Sequence, residues 1–144
     1  ESSLQIISIL SKTSIDIKKN ICTYGYNFGI IYQLMDDILD YTASHENYGK
    51  KKESDIDEGK VTLPLIYAYK NCNKTEKNII KNIIQKKENK NKLNKNLIHK
   101  GIEYTYEKIK EHEKNAINSI NKIPNSKYKE MLLYITEYIT NRKF

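Results

Sequence analysis

The sequence predicts an all-α protein, and two observations carry that prediction. Its 144 residues hold only two prolines and five glycines, and its apolar residues recur at spacings of three and four rather than two. Leu4, Ile6, Ile7, Ile9 and Leu10 belong to a short apolar helix. Residues 13–16 form a turn and N-cap leading into a long helix over roughly 15–44. Ile21, Tyr24, Phe28, Ile31, Met35, Ile38 and Leu39 mark its inward face. Gly25 and Gly29 lower helix propensity there, so close approach of a neighbouring helix is expected at both. Residues 45–60 break the periodicity and read as a long polar loop, a length usually reserved for function or disorder. Thr62 then caps a helix with Pro64 in its first turn, carrying Leu65, Ile66 and Ala68. Thr75 caps the next, with Glu76 near its N-terminus and Ile79, Ile80, Ile83 and Ile84 on one face. Residues 86–96 are low-complexity and are expected to be a flexible link. Gly101 marks a break before a helix that runs to about 122. Ile123-Pro124-Asn125 ends it, and Ser126 caps a last helix with Met131, Leu132, Ile135 and Ile139 inward.

Composition narrows the function. The net charge is +7, yet 24 of the 25 basic residues are Lys, and Arg142 is the only Arg. The charge is also local, since residues 70–100 carry ten Lys against Glu76 and Glu88. Bidentate readers of bases and phosphates are usually Arg, so nucleic acid is not an expected partner. No apolar run is long enough for a transmembrane helix. Cys22 and Cys72 stand far apart with no paired motif, which signals neither a disulfide framework nor a zinc site. They are expected as reduced, buried thiols. His45, His99 and His112 are expected on the solvated surface, with no third ligand to make a metal site. The chain begins on Glu1, so a piece of a longer protein is expected. The compartment stays open between the cytoplasm and an organelle.

The chemistry lies in Tyr32-Gln33-Leu34-Met35-Asp36-Asp37-Ile38-Leu39-Asp40. Asp36 and Asp40 stand one helical turn apart, and Asp37 is offset by about 100°. Three carboxylates within one turn repel one another, and their apolar flanks place them at the rim of a buried space rather than on a solvated face. A hard divalent cation offsets that repulsion, and Mg²⁺ suits one or two carboxylates completed by water and phosphate oxygens. Gly49-Lys50 and Asp55-Ile56-Asp57-Glu58-Gly59-Lys60 follow. Carboxylates that gather Mg²⁺, with lysines on a glycine-containing loop behind them, are what a diphosphate requires.

These segments resemble the second aspartate-rich region of the trans-isoprenyl (polyprenyl) diphosphate synthases. The resemblance runs from Tyr24 through Asp40-Tyr41, Gly49-Lys50 and Ser54 to Thr62-Leu63-Pro64, and more loosely over 100–142. It implies the C-terminal part of a single synthase domain spanning 1–144, its helices belonging to an isoprenoid-synthase-type bundle around a central cavity. It also implies a prenyltransferase of isoprenoid biosynthesis that condenses isopentenyl diphosphate with an allylic prenyl diphosphate and works as a homodimer or heterodimer. In that setting Asp36, Asp37 and Asp40 would hold Mg²⁺. Gln33, Lys50 and Lys60 would act on the allylic diphosphate, and Tyr32, where the family commonly has Phe, would keep a ring contact. The family's first aspartate-rich motif and its arginine pair are absent, and Lys12-Thr13 does not replace them. The chain alone is therefore expected to be inactive, with product length unspecified. The alternative is a non-catalytic synthase-like subunit that dimerises with an active partner. A plain helical interaction module and a prenyl-diphosphate cyclase rank below both.

Overall fold

The computed structural model describes residues 2–10, 13–42 and 54–141. Among the described residues there are seven α-helices and no strand: α1 (Ser2–Leu10), α2 (Ile15–Thr42), α3 (Ser54–Asp57), α4 (Leu63–Asn71), α5 (Lys74–Ile84), α6 (Lys95–Ile120) and α7 (Lys127–Thr140). The all-α prediction holds. None of these helices is long and apolar enough to cross a membrane. The chain forms two compact units, residues 1–35 with 108–143, and residues 36–107.

In the first unit the core is Tyr24, Ile31, Met35, Ile109, Ala116 and Ile120. Tyr24 enters with its hydroxyl satisfied, 3.0 Å from both the Leu132 carbonyl and Thr136 Oγ1. Lys129 is buried as well, its ammonium donating to the carbonyls of Asn121 and Ile123 and to Asn125 Oδ1 at 3.0–3.1 Å. It thereby closes the C-terminus of α6, where a cation offsets the helix dipole and unpaired carbonyls need donors. These two polar anchors decide which way α7 faces. Thr136 and Lys129 point inward, while Met131 and Ile135 are exposed together with Tyr128, Tyr134 and Tyr138. This corrects the periodicity, which put Met131 and Ile135 inside. Ser126 does cap α7, accepting from the Lys129 amide. His112 is not on the open surface: its Nδ1 lies 2.8 Å from Asn27 Oδ1, and Asn27 in turn donates to the Thr23 carbonyl. His99 is exposed, as expected.

Of the two α2 glycines, Gly25 is buried, but Gly29 is exposed and a Cβ there would meet nothing within 4 Å. The packing reason expected at Gly29 is therefore not found. Both cysteines are free and half-buried.

The second unit buries Tyr41, Ile56, Leu65, Ala68, Ile80, Ile83 and Ile98 in one cluster. The cap of α5 is Asn73 rather than Thr75. Asn73 Oδ1 accepts from the Glu76 amide and Glu76 Oε2 accepts from the Asn73 amide, a reciprocal capping box. At its other end Lys86 takes the left-handed conformation (φ 58°) that closes the helix, with its own amide and that of Lys87 returning to Ile83 and Asn82. A short 3-10 turn follows at Lys90–Lys92. The break expected at Gly101 does not occur. Gly101 is buried inside α6, and the main chain of Pro64 packs where a side chain would project. Absence of a Cβ lets the first turn of α4 rest directly on α6.

Burial pushes the phenols of Tyr24 and Tyr41 above their usual range, the hydrogen bonds from Thr136 and Thr62 opposing it only in part. Because the folded state then holds these protons more tightly, the associated stability is intact below about pH 10 and is lost as pH rises beyond it. Tyrosinate absorbance at 295 nm should show two tyrosines titrating late in the native chain. Their late ionisation should coincide with alkaline unfolding.

Candidate functional site

The site is built on the last turns of α2 and on the segment that follows it in space. Along α2, Asp36 is exposed, Asp37 is buried at 8% exposure and Asp40 is half-buried. The two inner carboxylates face helix N-termini. Asp40 Oδ2 accepts from the Asp55 amide at 3.2 Å, at the start of α3. Asp37 Oδ2 lies 3.5 Å from the amide of Leu63, the first residue of α4. A carboxylate suits both places, because the first amides of a helix lack intrahelical acceptors and carry partial positive charge. Between them the Tyr41 hydroxyl meets Thr62 Oγ1 at 2.6 Å, so Thr62 commits its hydroxyl to α2 and makes no side-chain cap of α4.

Lys60 is fixed by local chain geometry. Its amide returns to the Asp55 carbonyl (2.8 Å) and that of Gly59 to the Ile56 carbonyl (2.9 Å), with Gly59 at φ 79°. That is a Schellman turn, which the left-handed glycine makes possible. The turn folds the Lys60 side chain back over α3, where its Nζ pairs with Asp55 Oδ1 at 2.9 Å and Glu58 Oε2 at 2.8 Å. Glu58 first and then Asp55 hold the ammonium well above the ordinary lysine range. It is a cation at any physiological pH. Of the loop expected over 45–60, residues 54–57 are helical and residues 58–60 form the turn that closes that helix.

Not every expected residue is brought together. Tyr32 and Gln33 are both exposed on α2. Lys50, with Gly49, Lys51, Lys52 and His45, lies outside the described residues. Among the described residues no three His, Cys, Asp or Glu side chains converge into a ready ion cage. The donor set nevertheless fits Mg²⁺, whose demand is for one or two carboxylates plus water and phosphate oxygens rather than for an all-protein cage. A cleft of about 400 Å³ in the second unit is lined by Tyr41, Lys90, Leu93, Ile98, His99 and Ile102 among others, and by none of Asp36, Asp37, Asp40 or Lys60. The residue that side-chain patterning misses is Asp55. No side-chain pattern marks it, since its main-chain amide meets Asp40 and its carbonyl takes the Lys60 amide.

Comparisons with known proteins identify the family. The polyprenyl synthetase family model matches residues 1–100, a span that takes in the aspartates, Lys50 and Lys60. An octaprenyl diphosphate synthase of Haemophilus influenzae is 30% identical over 131 residues, covering 88% of this chain and 40% of that protein. A heptaprenyl diphosphate synthase component 2 of Bacillus subtilis is 31% identical over 155 residues, covering 99% and 41%. The solved geranylgeranyl pyrophosphate synthase of Bacteroides thetaiotaomicron superposes with a TM-score of 0.83 at 25% identity, covering 96% of this chain and 47% of that one. The chain spans about two fifths of the length of these curated relatives. With the family model covering more than half its residues and the aspartate turn falling within that match, the chain belongs to the polyprenyl synthetase family.

Proposed function

We propose that this chain is the C-terminal part of a prenyltransferase domain that joins isopentenyl diphosphate to an allylic prenyl diphosphate, and that it supplies a diphosphate-binding half of the site. One observation carries the reading. The Asp36-Asp37-x-x-Asp40 turn is tied through Asp55 to a permanently charged Lys60. Oxygen donors for a hard cation and a cation for the remaining phosphate charge therefore belong to one connected set.

Asp36, Asp37 and Asp40 would hold Mg²⁺. When bound, Mg²⁺ neutralises charge on the departing diphosphate and so favours ionisation of the allylic C–O bond. Lys60, and Lys50 with it, add cationic charge against phosphate oxygens. Gln33 offers an amide to the same group, and Tyr32 a ring beside it. Removal of a proton from the condensed product needs no base from this chain, since the released diphosphate can accept it.

Calorimetric titration of the 144-residue chain with inorganic diphosphate tests the reading. Heat of binding is expected with MgCl₂ and not with EDTA, and Asp36→Ala should weaken it at least about tenfold. Binding indifferent to both metal and Asp36 would instead favour a helical interaction module. Assayed alone with both prenyl substrates and Mg²⁺, the chain is expected to show no turnover, and robust turnover would refute that part. A second reading is a synthase-like subunit that pairs with an active partner; the name of the component 2 relative speaks for pairing between components and not for a loss of chemistry. Intact Asp36, Asp37, Asp40 and Lys60 count against it, because a subunit without chemistry does not need them.

A further inference from the structure

We infer that Asp55 is a positioning residue, which holds the Lys60 ammonium in register with the aspartate turn of α2. The inference rests on the diphosphate reading above and adds a residue to it. Asp55 is tied at both ends. Its amide donates to Asp40 Oδ2 at 3.2 Å, and its carboxylate accepts from Lys60 Nζ at 2.9 Å. Its carbonyl takes the Lys60 amide as well, so backbone and side chain of Lys60 are referenced to the same residue. The Asp55 side chain is 15% exposed, whereas that of Glu58, the other partner of the ammonium, is 60% exposed. A long lysine side chain on a surface turn otherwise samples many rotamers, and ordering them at the moment of binding weakens affinity. With two N–H groups on Asp55 and Glu58, the third can be given to a phosphate oxygen. Asp55 does not itself meet the ligand. It acts through Lys60.

The test is a double-mutant cycle on the full chain, read by calorimetry with inorganic diphosphate and MgCl₂. Asp55→Asn is expected to weaken binding about tenfold, and Lys60→Met at least as much. The double variant should bind no more weakly than Lys60→Met alone. Asp55→Glu, which restores the charge, should recover part of the loss, and Glu58→Gln should cost less than about threefold. A second readout needs no ligand. Acetylation of Lys60, followed by mass spectrometry, should quicken by about threefold or more in Asp55→Asn, because pairing with the carboxylate favours the protonated form and only the neutral amine is a nucleophile. If Asp55→Asn weakens binding equally with or without Lys60, or leaves Lys60 acetylation unchanged while the fold is intact by circular dichroism, the inference is wrong and Asp55 merely supports α3. If the unaltered chain binds no diphosphate, the functional reading fails and takes this role of Lys60 with it. Binding with an uncoupled cycle defeats this inference alone.

Discussion

Gly101→Ala is expected to destabilise the chain by about 3 kcal/mol, and to lower its melting temperature by roughly 10 °C. The added Cβ would fall against the carbonyl oxygen of Pro64 and 2.9 Å from its carbonyl carbon and Cα. All of these are backbone atoms, so no rotamer change relieves the clash. One helix must shift, and the shift would loosen Leu65, Ala68 and Ile98, which the contact holds at 8% exposure or less. Alanine is worth about 1 kcal/mol more than glycine inside a helix, which offsets only part of this loss. Gly29→Ala is the matching control. With nothing within 4 Å of its would-be Cβ, it should gain most of that helix propensity and stabilise the chain. Urea denaturation of the two variants beside the parent checks both signs. A Gly101→Ala chain as stable as its parent would mean that Pro64 does not rest on α6. Because Pro64 adjoins Thr62 and Leu63, which meet Tyr41 and Asp37, the same substitution should also blunt Mg²⁺-dependent diphosphate binding.

The contrast between these glycines shows what a sequence carries and what it does not. Helical periodicity reports which residues are apolar and how they are spaced, so α2, α4 and α5 are legible, and so is the Ser126 cap. It says nothing about what a missing side chain makes room for. Gly101 therefore reads as a helix break, although its role is contact with a residue 37 positions earlier in the chain. The facing of α7 escapes periodicity for a related reason. It is set by the Tyr24 hydroxyl reaching Thr136 and by Lys129 reaching the carbonyls of Asn121 and Ile123 just past α6, and these polar partners outweigh the preference of Met131 and Ile135 for the interior. Within the proposed site, Asp36, Asp37 and Asp40 stand out because mutually repelling carboxylates on one helical turn suit a neutralising cation. Lys60 is legible because a lysine directly after a turn glycine suits a phosphate. Asp55 is not. Its importance comes from a main-chain amide and a Schellman turn, neither of which has a side-chain signature.

Substitution of the two adjacent aspartates should separate folding from binding. Asp36 is exposed, and among three carboxylates in one helical turn it contributes repulsion to the fold. Asp36→Asn is therefore expected to leave stability unchanged or slightly raised, while Mg²⁺-dependent affinity for inorganic diphosphate falls on the order of a hundredfold. Asp37 differs in surroundings rather than in chemistry. It is buried, and its Oδ2 faces the Leu63 amide at 3.5 Å, too long for a strong hydrogen bond but well placed for charge at the N-terminus of α4. An asparagine oxygen could still accept from that amide, so Asp37→Asn removes mainly the charge. Its stability cost is expected to be about 1 kcal/mol, largest at low ionic strength and screened by added salt. Its affinity should fall as far as that of Asp36→Asn, because under the proposed function each substitution would withdraw one carboxylate from the same cation. Thermal melts in low and high salt, paired with calorimetry, distinguish the two contributions. If Asp36→Asn destabilised the chain and left binding untouched, the exposed carboxylate would be a structural group and the aspartate turn would have to hold its cation without it.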